Sequence, residues 1–545
     1  MKSQTTTGMA SAAMLVAALL TGILQAPAEA QDVQGNTAQG MRNDGGDEIL
    51  LQGFHWNASR SKPDSWYKVL NDKAAEIGRD GFTAVWMPVP WRDTSQWRDA
   101  ASGNSGGGEG YFWQSFDKNT AYGSEAELKQ AVTALHQAQV KVIYDVVPNH
   151  MDRAHMDPAL APVLGDRNSW RDGCAQCDDG EPFMGGDADL NTSRPEVADL
   201  FAQEFARLRD QYGADGLRFD FVKGYAAPTV DAWMKAFGNS HFCVGELWQA
   251  PNEYPANDWR HNASWQDALK AWSDKSHCTV FDFALKERLQ NGRIADWRNG
   301  LNGNPDPAWR AIAVTFVDNH DTGYSPGAGN GQHHWALPEE LRDKAYAYIL
   351  TTPGTPTVYW PDMYDWPRGA LIRQLIAIRK AADIRADSPV RFLDKYSGLV
   401  AETTGSVQTL MLALDSDLPN ADVPSGFTSV LTAENGKIRI WRGTRDPNLV
   451  RVHLLCADGY TQMGQSVYAV GSGNELGNWN PASAVRLEDA SQYPLWQGVV
   501  WLKKNSSYEW KCIVRDEKDP AQIRWQERAN NVLVAQPELS SAGSF

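Results

Sequence analysis

Eight short apolar runs recur between about residue 48 and residue 380, at 49–54, 84–87, 141–147, 216–219, 242–244, 280–283, 313–317 and 357–359. Longer amphipathic stretches, such as 125–139 and 196–211, lie between them. Strands that alternate with helices pair in parallel, and eight such units predict an α/β fold, a (β/α)8 TIM barrel. Residues 150–195 break this rhythm. They are rich in Asp, Gly and Cys and read as a loop excursion after the third strand, where a long loop is usually functional. The barrel is therefore expected over 31–385, including that excursion. Short β-like runs such as "TLMLAL" and "KIRIWR" predict a small antiparallel domain over 386–443. A linker at 444–449 follows, and 450–545 reads as a second β-rich unit, a β-sandwich.

Three global features narrow the function. The formal net charge of -16 argues against nucleic acid and anionic membrane as partners. The 23 Trp offer flat apolar faces that suit sugar rings as well as core packing. Residues 11–24, "SAAMLVAALLTGIL", followed by Ala28-Glu29-Ala30, read as an export signal over 1–30 with small-residue cleavage. A secreted chain, acting as a monomer, is expected. Six Cys in an oxidising compartment predict disulfides, and we pair Cys174 with Cys177, Cys243 with Cys278 and Cys456 with Cys512. Spacing alone leaves the connectivity open, and two free thiols are the alternative for the close pair.

Barrel chemistry sits at the C-terminal ends of the strands, and four of those ends are unusually polar. The third gives "DVVPNH" (Asp145, Asn149, His150). The fourth is "GLRFDFVKG", with Arg218 and Asp220 two residues apart on one strand face. The fifth gives "GELW" (Glu246), and the seventh "FVDNHD" (Asn319, His320, Asp321). A lone strand-end acid is more often a helix cap than a catalyst. Four such ends together are not.

These four motifs match, in order and spacing, the signature regions of the alpha-amylase family of glycoside hydrolases, and "DADLN" at 187–191 resembles its additional conserved region. The match spans roughly 48–443. Within the family the chain resembles the bacterial maltotetraose-forming exo-amylases, through "GGDEILLQGFHWN", "WMPVPWRD", "GGGEGYFW" and "NGNPDPAWR". The resemblance implies a retaining hydrolase of α-1,4-glucans that releases maltotetraose from non-reducing ends of starch. The same carboxylates also serve endo-acting amylases and glucanotransferases, and a starch-binding protein without activity is the alternative of another class.

Carried onto this chain, the resemblance makes Asp220 the nucleophile, Glu246 the general acid and then base, and Asp321 the third carboxylate. An acid–nucleophile separation of about 5–5.5 Å would give retention. Arg218 is expected to hold Asp220 ionised, because a nearby opposite charge lowers a carboxyl pKa. Glu246 needs a raised pKa. His150 and His320 would bond the sugar, Tyr111 would lie under it, and Lys223 would reach product-side sugars. Trp56, Trp97, Phe112 and Phe183 are expected to stack on glucose rings, with core packing as the alternative for each. Asp187 would bind the terminal glucose, and Met184 and Gly185 lie in the loop expected to block the cleft. His333 and His334 read as loop residues.

The family's shared calcium site implies oxygen ligands from Asn149, Asp178, Glu181, Asp189 and the carbonyl of Gly224. The maltotetraose-forming relatives imply a second, N-terminal calcium held by Asp32, Val33, Asp44, Asp47 and Glu48. Asp44 stands where His is the family's residue. The last quarter resembles a starch-binding module. One glucan site maps onto Trp479, Lys511, Trp525 and Asn530. The module's second site would use Trp496 but has Met463 where a Tyr is expected. Trp510 reads as core.

Overall fold

In the computed structural model, which describes residues 41–98, 105–174, 177, 180–186, 188–420, 423, 427–444, 448–487, 489–519, 521–537 and 539–545, the eight apolar runs form a closed parallel barrel. Its strands in chain order are β1 (Leu50–Gln52), β2 (Ala84–Met87), β3 (Lys141–Val146), β4 (Gly216–Phe219), β5 (Phe242–Gly245), β6 (Thr279–Phe281), β7 (Ala313–Phe316) and β8 (Thr355–Tyr359). Leu50 of β1 pairs with both Ala84 of β2 and Thr357 of β8, which closes the ring. A helix follows each strand: α1 (Trp66–Asp80), α2 (Glu125–Gln137), α3 (Pro195–Tyr212), α4 (Ala227–Phe237), α5 (Trp265–Ser276), α6 (Phe283–Asn291), α7 (Glu339–Thr351) and α8 (Gly369–Ala382). The predicted barrel is thus observed. The expected signal at 1–30 lies outside the described residues.

Local chemistry sets the helix ends. Ser124 caps α2: its hydroxyl accepts from Glu127 N, and Glu127 returns a bond to Ser124 N at 2.8 Å. Pro195 opens α3, where its missing N–H costs nothing, and Gly213 closes it in the left-handed region. One glycine is required by packing alone. A Cβ on Gly245, at the end of β5, would lie 2.2 Å from the Trp272 ring of α5. Only glycine lets that helix seat against the strand that leads into Glu246.

The three expected disulfides form. Cys243–Cys278 ties β5 to the residue before β6, and Cys174–Cys177 links two cysteines within the excursion.

After α8 the chain forms a five-stranded antiparallel sheet, in the order Val390–Phe392, Leu399–Thr404, Gln408–Leu414, Ile438–Thr444, Phe427–Ala433. Leu399, Ala401, Leu412, Leu414, Ile438 and Ile440 join the barrel's hydrophobic core. Lys344 of α7 adds ion pairs to Asp415 and Glu434 at 3.1 and 3.4 Å. The C-terminal unit is a two-sheet sandwich with its own core. Cys456–Cys512 bridges Leu449–Ala457 of one sheet to Ser507–Asp516 of the other. Trp510 is fully buried there, as expected, and its indole N–H donates to Ser541 Oγ.

Candidate active site

The strand register explains why Arg218 can be buried. Asp145 on β3 is the direct register partner of Arg218 on β4, so both side chains leave the same face of the barrel. Arg218 is fully buried. Its Nη1 donates to Asp145 Oδ1 at 2.8 Å and to Asp220 Oδ1 at 2.6 Å, and its Nη2 lies 2.7 Å from Glu246 Oε1. That third contact is an ion pair by distance, without hydrogen-bond geometry. Trp86 closes one side, 5.0 Å from the guanidinium carbon, and donates its indole N–H to Asp145 Oδ2.

Immediately after Asp220 the backbone turns sharply. Phe221 adopts φ 46°, a left-handed conformation unusual for a bulky residue. The turn aims the Phe221 N–H at Glu246 Oε2, 3.3 Å away. The Asp220 carbonyl accepts from the Tyr225 hydroxyl at 2.9 Å. After β7, the Asn319 side-chain oxygen accepts from the N–H groups of Asp321 and Thr322, which shapes the turn bearing Asp321. Asp220 and Glu246 are buried, and Asp321 keeps 22 % of its side chain open.

One arginine now faces a crowd of acids, and protonation follows. Burial raises Glu246 to about 7; Arg218 opposes the rise and Asp220 adds to it. Burial raises Asp220 to about 6, against the pull of Arg218. Arg218 does pull the Asp220 pKa down, as expected, but desolvation outweighs the attraction and the net shift is upward. Asp321 is pushed well above the usual carboxyl range by burial and by Glu246. Asp145 rises to about 6 by burial, opposed by Arg218.

His320 sits among aromatic rings, 5.3 Å from Tyr111 and 5.9 Å from Trp56, both nearly parallel to it. Burial, with Arg218 nearby, keeps it neutral, far below its ordinary pKa. Its Nε2 is 2.6 Å from Tyr111 Oη and 3.2 Å from Asp321 Oδ2, and Tyr111 donates to Asp145 Oδ2 at 2.9 Å. Sequence reasoning placed Asp145 at a strand end but gave it no role, and it missed Gln52, Trp86 and Tyr225. Register with Arg218 was the one available signal, for Asp145.

The expected sugar contacts divide. Trp56 is only 5 % exposed, its indole N–H is spent on the Ser105 carbonyl, and its ring lies nearly parallel to those of Tyr111 and His320. Trp97 is half-buried, edge-on to Trp56, and packed over Gly106. Phe112 is half-buried, 5.9 Å from Phe183. Phe183 stacks face to face on His150 at 3.6 Å, covering a ring that burial holds neutral at a pKa of about 3. Met184, next to it, is 82 % exposed. Lys223 pairs with Glu181 at 3.1 Å and leans over the Phe221 ring. His333 lies in a loop, stacked on the exposed Tyr324, and His334 lies in the same loop. Asp187 is outside the described residues.

The residues expected around calcium fare differently at the two sites. At the first, the buried Asn149 Oδ1 has no hydrogen-bond partner, and Gly224 lies against it: a Cβ there would be 2.1 Å away. Asp189 is fully buried beside them, accepting from Asn149 Nδ2 and Phe183 N. An orphaned amide oxygen next to a buried carboxylate fits a hard cation. Glu181 points elsewhere, to Lys223 and Gln249, and Asp178 lies outside the described residues. At the second, Asp44 and Glu48 converge on the Lys141 ammonium, which already supplies the positive charge. Asp47 is exposed, and Asp32 and Val33 lie outside the described residues. The described residues do not fit an N-terminal calcium.

In the sandwich, Trp525 is 39 % exposed on strand Ile523–Trp525, and Trp479 is half-buried at a left-handed position. Lys511 Nζ holds the carbonyls of Gln526 and Arg528, and Asn530 donates to Glu509. Both polar residues therefore brace the loop behind Trp525. Met463 is wholly exposed, and the Trp496 N–H is bound to the Gly459 carbonyl.

Comparison with known proteins agrees with this geometry. Residues 364–429 match the family described as glucan 1,4-alpha-maltotetraohydrolase, domain C, and residues 449–543 match the starch binding domain family. The chain is 54 % identical to a glucan 1,4-alpha-maltotetraohydrolase of Roseateles saccharophilus, over 98 % of this chain and 100 % of that protein. It is 55 % identical to one of Stutzerimonas stutzeri, over 97 % and 99 %. A gamma-CGTase from alkalophilic Bacillus clarkii shares the fold at TM-score 0.53 and 15 % identity, covering 93 % of this chain and 98 % of that one. The chain belongs to the alpha-amylase family, in its glucan 1,4-alpha-maltotetraohydrolase group.

Proposed function

We propose that this protein is a retaining α-1,4-glucan hydrolase that releases maltotetraose from the non-reducing ends of starch. The observation that carries the reading is the meeting of Asp220, Glu246 and Arg218 in one buried ion cluster beside Asp321. Kinship supports the product length, since the two relatives named above carry maltotetraose release in their names.

In this reading Glu246 starts protonated and gives its proton to the leaving glycosidic oxygen. Asp220, the more acidic of the pair, attacks the anomeric carbon from the opposite face. Arg218 favours its charged form and fixes its orientation. Water then displaces the sugar from Asp220, with Glu246 acting as base, so the anomeric configuration is retained. Asp321, near the cleft opening, holds sugar hydroxyls, with His320 at its side. Tyr111 is the platform for the reacting glucose. Phe112 and Phe183 line the glucan path, and Phe183 covers His150, so that His150 reaches a sugar only when glucose replaces the phenyl ring. Asp187 binds the terminal glucose, and Lys223, steered by Glu181, faces the product side.

Asn149, Asp189 and the carbonyl of Gly224 would hold a calcium ion. When bound, it neutralises buried oxygen charge and ties the excursion to the segment after Asp220. The C-terminal module holds starch through Trp525 and Trp479. The N-terminal apolar segment and the disulfides support export from the cell.

Chromatography of products from soluble starch over time tests the reading. Early accumulation of a single four-glucose product is expected; a spread of lengths or cyclic products would refute it. Glu246→Gln should lower kcat on maltopentaose by about a thousandfold, the scale of general-acid catalysis, with binding retained by calorimetry. Comparable turnover by the mutant would remove Glu246 from its role.

The raised carboxyls also fix a pH profile. Below about 6 Asp220 gains a proton and stops attacking; above about 7 Glu246 loses the proton it must donate. The kcat/KM of maltopentaose should be bell-shaped with its maximum between these limits, both belonging to the coupled pair. A profile still rising beyond pH 8 would contradict it.

Trp525→Ala should weaken adsorption to starch granules about tenfold, since ~60 Å² of lost indole contact at ~25 cal/mol/Å² is ~1.5 kcal/mol. Hydrolysis of maltopentaose should not change. Unaltered granule adsorption would remove Trp525 from the glucan site.

A further inference from the structure

Gln52, the last residue of β1, is completely buried; it lies in the stretch "GGDEILLQGFHWN", but the functional reading gave it no role. Its amide Nε2 lies 2.8 Å from His320 Nδ1. An amide NH2 can only donate, so Nδ1 must be the bare, accepting nitrogen, and the single proton of the neutral ring sits on Nε2. That proton faces Tyr111 Oη at 2.6 Å and Asp321 Oδ2 at 3.2 Å. Tyr111 then accepts from His320 and directs its own hydroxyl proton to Asp145 Oδ2, which is also the acceptor of the Trp86 N–H. The donors run one way, from Gln52 through His320 and Tyr111 to Asp145, and Asp145 holds Arg218.

The reverse arrangement satisfies fewer groups. With the Gln52 amide turned over, Nδ1 would carry the proton and Nε2 would be bare. Tyr111 would have to donate to Nε2, so Asp145 Oδ2 would lose its hydroxyl donor. A carboxylate in place of the amide would be worse. It would add a further acid to a site that sets one Arg218 against four carboxyls, and it would draw a second proton onto the ring. The groups facing His320 are Gln52, Tyr111 and Asp321, the rings of Phe54, Trp56 and Trp86, and Arg218 through its field. None of the others can fix the tautomer from the Nδ1 side.

We propose that Gln52 is a positioning residue for hydrolysis: its buried amide locks His320 in the Nε2–H tautomer, aiming the ring's one proton at Tyr111 and Asp321. The functional consequence rests on the hydrolase reading above; the tautomer itself does not.

The test uses the full-length protein labelled with 15N-histidine, with the His320 signal assigned by its loss in His320→Asn. The expected spectrum shows a bare Nδ1 and a protonated Nε2 at His320, unchanged between about pH 5 and 8, the range where free histidine titrates. Gln52→Glu keeps the shape of the side chain and should move the proton to Nδ1 or give the doubly protonated ring. Gln52→Met keeps the approximate size, donates nothing, and should leave a mixture of tautomers. In both variants kcat on maltopentaose should fall about tenfold, the loss of one hydrogen bond's worth of orientation, with KM within about threefold. A general structural defect would instead lower the fraction of active protein and leave the tautomer intact. A protonated Nδ1 in the unaltered protein overturns the proposal, as does wild-type kcat in both variants. A protein that fails to hydrolyse glucans at all still reports its tautomer, so failure of the hydrolase reading is told apart from failure of this one.

Discussion

A single guanidinium organises this molecule's chemistry. Arg218 has no solvent contact and lies against Asp145, Asp220 and Glu246, with Asp321 close enough to feel the same field. A buried charge without partners is prohibitive, and breaking a buried pair by removing one member costs about 3–5 kcal/mol. The acids therefore stabilise the arginine, and the arginine lets the acids converge. One positive charge cannot balance four carboxylates in a site nearly closed to water. Protons must stay on some of them, and burial decides which. Glu246 ends above Asp220 in pKa, an order that keeps one carboxyl as a donor while its neighbour is ionised.

The fold exists to hold those groups still. Asp145, Arg218, Glu246 and Asp321 come from four strands or their ends, and no two of these strands are joined by a short loop. Parallel pairing sets β3, β4 and β5 side by side, and the curvature of the barrel brings the end of β7 to the same rim. Small features maintain the alignment. Gly245 lets α5 approach β5, the left-handed Phe221 turns its N–H toward Glu246, and Cys243–Cys278 ties the fifth strand to the start of the sixth. The excursion after β3 then brings Asp189 and Phe183 over Asn149 and His150.

Much of this was legible in the order of residues. Short apolar runs separated by amphipathic stretches are what parallel strands and crossover helices require, and all eight strands fell where those runs lie. The acidic strand ends were equally plain, because polar residues interrupt apolar segments only for a reason. Aromatic residues were harder. Trp56 and Trp97 read either as sugar platforms or as core, because exposure is a property of the packed molecule, and Trp56 is buried. The N-terminal acids read as calcium ligands because Lys141, 97 residues away from Asp44, could not be seen to lie between them. Lys511 and Asn530 carried the right functional groups for sugar, yet their hydrogen bonds tie the strand Ser507–Asp516 to the loop at 526–530.

The sequence by itself determined which side chains were available and on which strand ends they would stand, since strand period and motif spacing are local properties of the chain. The protonation of the acids, the tautomer of His320 and the choice between a sugar face and a core face for each aromatic were decided only by the tertiary structure. Each of these depends on desolvation and on neighbours that the barrel brings together from distant segments, and neither is written in any local stretch of residues.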